Sequence, residues 1–218
     1  MMMMKKRPAG TVWKTFTKRY RPSTFTVIPR APQPEWKFID QRITSSTIPG
    51  SAVVNLMNGC GQGAASNARI GNKINIMSYE IRAEFRSSGT ASNALRFIVL
   101  VDTQPNGAAP VLGSMFANST YYTSMRNLYY RKRFKFLLDT PFTISPGGQQ
   151  GDNKYIHHYY KFPRGLICEY NSGNTGTITD ISTNALYFVI PGYTACNMDL
   201  QFRVRLYRDW ETDRKSVV

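Results

Sequence analysis

Between Tyr79 and Arg86 the chain alternates strictly: Tyr79, Ile81, Ala83 and Phe85 fall on one side of an extended backbone, Glu80, Arg82, Glu84 and Arg86 on the other. Only a β-strand sets residues two apart on one face, so this pattern commits the segment to a sheet with one buried and one solvated side. Met198–Tyr207 repeats it, with Leu200, Phe202, Val204 and Leu206 inward and Gln201, Arg203, Arg205 and Tyr207 outward. Ile74 and Ile76 are out of phase with Tyr79 onward, which predicts a β-bulge near Met77 within a strand spanning Lys73–Arg86. Leu95–Val101 is almost continuously apolar and reads as a strand buried on both faces.

The remaining strands follow from shorter runs between turn residues. They are Trp36–Thr44, Ser51–Met57, Asn127–Leu138 with a short extension over Thr140–Ser145, Tyr155–Phe162, a minor Leu166–Tyr170, and Ala185–Ile190. Asn58–Gly63 reads as a flexible surface loop, and Leu112–Phe116 as one helical turn. Asp102 precedes Gln104-Pro105-Asn106-Gly107, where its carboxylate is placed to cap the turn. Thirteen Tyr and twelve Phe suit strands. Eight principal strands and a minor one, with irregular loops and no internal repeat, predict an all-β fold: an eight-stranded antiparallel jelly roll, a double-sheet sandwich. An immunoglobulin-like sandwich would be shorter and would carry a Trp between paired cysteines.

Charge divides the chain. Lys5, Lys6, Arg7, Lys14, Lys18, Arg19, Arg21 and Arg30 lie in the first 34 residues, which contain no acid and five prolines. Like charges without partners repel, and proline discourages regular structure, so residues 1–34 read as an extended or disordered arm. The expected organisation is arm 1–34, jelly-roll body 35–210 and tail 211–218. The arm holds eight of the 28 basic residues behind a net +15, a concentration that points to a polyanion. Trp13, Phe16 and Tyr20 interleave with its cations; they either stack on unpaired bases or dock on the body or a neighbouring subunit.

The sequence offers few groups suited to catalysis. His157 and His158 are adjacent in a strand and point to opposite faces. No nucleophile elbow, phosphate loop, zinc motif or carboxylate pair occurs, so no catalytic residue, metal or cofactor is expected. Cys60, Cys168 and Cys196 are widely spaced and odd in number, which reads as buried free thiols. The longest apolar runs, such as Phe97–Val101, fall far short of the roughly 20 residues a membrane span requires, so no membrane insertion is expected. The informative cluster is basic: Arg82 and Arg86 on one strand face, Arg203 and Arg205 on another, and Arg131, Lys132, Arg133 and Lys135 together. These either form a solvated face with Glu80 and Glu84 as partners or contact phosphates, which need charge but little precise geometry.

Three segments resemble capsid proteins of circular Rep-encoding single-stranded DNA viruses, the circovirus-like group. They are Arg69-Ile70-Gly71-Asn72-Lys73-Ile74, Val101-Asp102-Thr103-Gln104-Pro105-Asn106-Gly107 (lacking the usual Tyr before Asp) and Arg131–Asp139. The resemblance implies a virion protein whose copies, about 60 in a T=1 icosahedral shell, enclose single-stranded DNA. It further implies that the arm faces the genome and, through Lys5, Lys6, Arg7, Lys18, Arg19 and Arg21, engages host nuclear import factors for assembly in the nucleus. Tyr121, Tyr122, Tyr129 and Tyr130 are candidates for subunit contacts or for local packing, and a host-cell receptor is implied without being identified. The competing expectations are a basic all-β RNA-binding protein that builds no shell, and a jelly-roll lectin or sugar-active enzyme.

Overall fold

The computed structural model describes residues 36–48, 52–87, 92–118, 122–146, 153–191 and 196–207. All belong to Pro34–Val218, the second of the two units into which the chain divides. The basic arm and the tail lie outside the described residues.

Among the described residues nine strands are formed: β1 Trp36–Ile48, β2 Val53–Leu56, β3 Lys73–Ser87, β4 Asn93–Asp102, β5 Phe134–Ile144, β6 Lys154–Tyr170, β7 Ile181–Thr183, β8 Ala185–Ile190 and β9 Cys196–Tyr207. They make two antiparallel sheets, ordered β1-β9-β3-β6-β7 and β2-β8-β4-β5. Apart from β4–β5 and β6–β7, which pair within one sheet, successive strands cross from one sheet to the other, which is the jelly-roll plan. The inward rows interlock between the sheets: Phe85 of β3 meets Phe97 of β4 and Phe142 of β5, and Phe188 of β8 meets Phe202 of β9, with centroids 5.0–6.1 Å apart. All of Leu95 and Phe97–Val101 is buried, as the continuous apolar run predicts. The predicted bulge is present: β3 shifts register between Ile76 and Ser78 against both β6 and β9.

Several sequence expectations are corrected. Asn127–Arg133 is not strand; Leu128–Tyr130 is a 3-10 turn, and β5 begins only at Phe134. Asn127 Oδ1 accepts from Tyr129 N at 3.0 Å, a side-chain turn that competes with extended backbone. Thr140–Ile144 is continuous with the preceding residues, despite Pro141, because β5 is a sheet edge and Pro141 needs no donor there. Tyr155–Phe162 and Leu166–Tyr170 are halves of the single strand β6; opposite the β3 bulge, the stretch between Lys161 and Leu166 bulges too, with Gly165 at φ 72°. The minor strand is instead β7, where Ile181 is buried and Asn184 (φ 59°) turns the chain into β8.

Asn58–Gly63 is more than a surface loop. Asn58 and Cys60 are buried, and a Cβ on Gly59 would lie 2.5 Å from Gly176 O, so this segment packs directly on the 173–180 loop. Asn58 Oδ1 accepts from Leu186 N at 2.9 Å and its Nδ2 donates to Asn184 O at 3.2 Å, while its carbonyl accepts from Tyr170 OH at 2.6 Å. A buried amide whose groups are paired in this way fixes the loop to β6 and β8.

Candidate nucleic-acid interface

The motifs that suggested a family are structural fasteners. Arg69 is 1% exposed; it donates to Gly71 O at 2.5 Å and to Gly173 O, and its guanidinium lies 4.5 Å from the centre of the Tyr170 ring. Asp102 is fully buried. It accepts both arms of Arg133 at 2.8 and 2.7 Å, and it caps the turn at Gln104 N at 3.1 Å. The second and third motifs therefore meet as one ion pair, and Arg133 is withdrawn from the basic cluster. Asp139, at the end of the third motif, takes hydrogen bonds from Arg96 at 2.6 and 2.8 Å and from Arg126. Burial pushes the Asp139 pKa up, but the hydrogen bonds and charge of Arg96, then Arg126, outweigh it and hold it below the usual carboxylate value.

The solvated face of the first sheet carries the predicted cations in rows set by register. One row reads Phe38, Arg205, Ser78, Lys161; the next Asp40, Arg203, Glu80, Tyr159; the third Arg42, Gln201, Arg82, His157; the fourth Thr44, Asp199, Glu84, Tyr155. Most charges on it are paired: Arg203 with Asp40, Arg82 with Glu80 and Arg86 with Glu84, each at 2.7 Å, and Arg42 with Asp199 at 2.6 Å. His157 joins Glu80 at 3.0 Å, whereas His158 turns inward to Tyr79 OH at 3.1 Å. The hydrogen bonds from these arginines hold Asp40, Glu80, Glu84 and Asp199 below their ordinary pKa values, so the lattice stays ionised at neutral pH. Among the described residues, Arg205 and Lys161 have no carboxylate within ion-pair distance. Arg205 instead stands 3.8 Å over the Trp36 ring.

Thus three of the four sheet arginines expected to meet phosphate, Arg82, Arg86 and Arg203, begin with a carboxylate partner. Exposed pairs of this kind are weakly bound and exchange readily. Sequence reasoning anticipated Glu80 and Glu84, which sit two residues from their partners, but missed Asp40, which reaches Arg203 only through strand pairing. Replacing Asp40 by Asn and Glu80 by Gln frees Arg203 and Arg82. If this face contacts phosphate, single-stranded DNA binding should tighten and the slope of log K against log salt should steepen by about 1.4. Salt-titrated fluorescence anisotropy reads both quantities.

Of the tyrosines expected at subunit contacts, Tyr121 lies outside the described residues. Tyr122 is half-buried, and Tyr130 packs on Phe134. Tyr129 is open and heads a larger patch: Val111, Met125, Leu128 and Tyr129 are 70–84% exposed. Two segments zip together to hold these side chains, through Ala117 N to Met125 O at 2.9 Å and Asn127 N to Met115 O at 2.8 Å.

Across residues 4–211 the chain matches the family described as geminivirus coat protein/nuclear export factor BR1. The chain belongs to that family. No curated protein matches it. Membership of the geminivirus coat protein family makes this a structural protein of a single-stranded DNA virus, and its jelly roll is the coat-protein body. The match covers nearly all of the basic arm as well as both sheets.

Proposed function

We propose that this geminivirus-family coat protein closes into an icosahedral shell and packages single-stranded DNA through residues 1–34. The observation that carries the reading is the family match from residue 4 to residue 211, which joins an acid-free leader bearing eight cations to a jelly-roll body. Lys5, Lys6, Arg7, Lys14, Lys18, Arg19, Arg21 and Arg30 neutralise backbone phosphates, with Trp13, Phe16 and Tyr20 favouring unpaired bases. Lys5, Lys6, Arg7, Lys18, Arg19 and Arg21 also serve as a split signal for host nuclear import factors, and assembly takes place in the nucleus. The three segments that resemble circovirus-like capsid motifs support a relationship to that group as well.

Shell contacts are assigned to the patch of Val111, Met125, Leu128 and Tyr129. Four large apolar side chains so exposed are costly on a lone subunit, and symmetry would bury them many times over. Met125→Asp with Leu128→Asp alters only exposed side chains, so the melting temperature should hold while particle formation is lost. Electron microscopy showing normal particles from this variant would remove the patch from the interface.

The function itself is tested by electron microscopy of the purified unmodified chain with single-stranded DNA. Uniform closed particles support the shell reading. A nuclear export factor, the other protein in the family's description, need not close a shell. A persistent monomer across salt and pH would favour that reading, or a basic all-β RNA-binding protein.

A further inference from the structure

We propose that the solvated face of the first sheet carries a base-stacking platform for unpaired nucleic acid, formed by Trp36, Phe38 and Tyr159 beside Arg205 and Lys161. It rests on the coat-protein reading for the presence of single-stranded DNA, and it assigns to the body a selectivity otherwise left to the arm.

The ion-pair lattice described above is what localises this platform. It neutralises the Asp40, Arg42 and Glu84 rows and leaves the Phe38 row, with Arg205 and Lys161 and no acid, as the positive end of the face. Along that row and beside it the aromatics are open to solvent: Trp36 is 41% exposed, Phe38 37% and Tyr159, in the neighbouring Asp40 row opposite Glu80, 56%. Outward aromatics on a sheet give up apolar area that an inward position would bury, whereas a stacked base recovers it.

Three interstrand steps separate Phe38 from Lys161, about 14 Å, so the Trp36 and Phe38 rings at one side and Lys161 with Tyr159 at the other lie within reach of one short single strand. Trp36 is braced edge-on by Tyr207 at 5.7 Å, and Arg205 stands over Trp36 and 6.0 Å from Phe38. A guanidinium so placed fixes the indole and is itself a plane on which bases stack. Ser78, small and covered, sits between Arg205 and Lys161, where the β3 bulge ends. A duplex hides its base faces and offers this platform only phosphates, so discrimination between single and double strands is the expected signature. A protein partner suits the platform less well, because charged rows interrupt its apolar area.

The test uses the full chain and a 20-nucleotide oligo-dT, compared with its duplex, in anisotropy titrations over salt. Trp36→Leu with Phe38→Leu should weaken single-strand binding by about tenfold or more, leave duplex binding within about twofold, and keep the salt slope. Trp36→Tyr with Phe38→Tyr should restore single-strand binding, which separates ring stacking from any effect on the edge strand. Tyr159→Leu, in another strand, should lower it independently. Equal losses on single strand and duplex, no restoration by the Tyr pair, or no loss at all would overturn the platform. Those outcomes leave shell formation by the unmodified chain untouched, so a failure here is distinct from a failure of the coat-protein reading.

Discussion

Deleting residues 1–34 is expected to cut affinity for single-stranded DNA by at least about a hundredfold near 0.15 M salt, while the remaining body keeps its melting temperature. The deletion removes eight basic residues and no acid, taking the net charge from +15 to +7. Each phosphate contact on a single strand contributes about 0.7 to the slope of log K against log salt, so eight contacts contribute about 5 to 6. The body left behind, which begins at Glu35, contains every strand of the jelly roll and its buried core. Salt-titrated binding of the truncated and full chains reads the change directly. An unchanged slope would place the phosphate contacts on the body instead.

The second large effect is on stability. Replacing Arg133 by Leu leaves the carboxylate of Asp102, fully buried, with the Gln104 amide as its remaining hydrogen-bond donor among the described residues. Removing one partner of a buried pair costs about 3–5 kcal/mol because the other charge stays desolvated. For a body of this size the melting temperature should fall by roughly 10 °C. The double substitution Asp102→Leu with Arg133→Leu removes both charges and should recover much of that loss. Thermal unfolding followed by circular dichroism distinguishes the cases. A drop of only a degree or two for Arg133→Leu would mean that the pair is not what fastens the 102–107 turn to β5.

These residues also show which parts of the molecule can be read from sequence. Alternation fixes β3 and β9 because a strand's period is local, and the phase slip between Ile76 and Tyr79 gives the bulge for the same reason. Asp102 could be assigned to its turn because the amide it caps is two residues away. What sequence does not disclose depends on register. The Asp40–Arg203 pair, the approach of Arg205 to Trp36 and the meeting of Asp102 with Arg133 all join distant segments. Nothing in the sequence marks Arg69 as buried, yet its donors are spent on the carbonyls of two loops. Asn127–Tyr130 failed for the opposite reason: a local side-chain hydrogen bond defeated an extended reading that its composition favoured. The exposed Trp36, Phe38 and Tyr159 were legible as strand residues, but only the sheet gathers them beside Arg205.

The central claim is that the jelly-roll body makes the container and the cationic leader holds the strand within it. Assembling the full chain with single-stranded DNA, digesting with nuclease and sizing what survives tests both halves together. The account predicts closed particles that protect on the order of ten nucleotides per subunit, bounded by the +15 charge of each chain. Complete digestion of the DNA in preparations that still contain intact particles would contradict it.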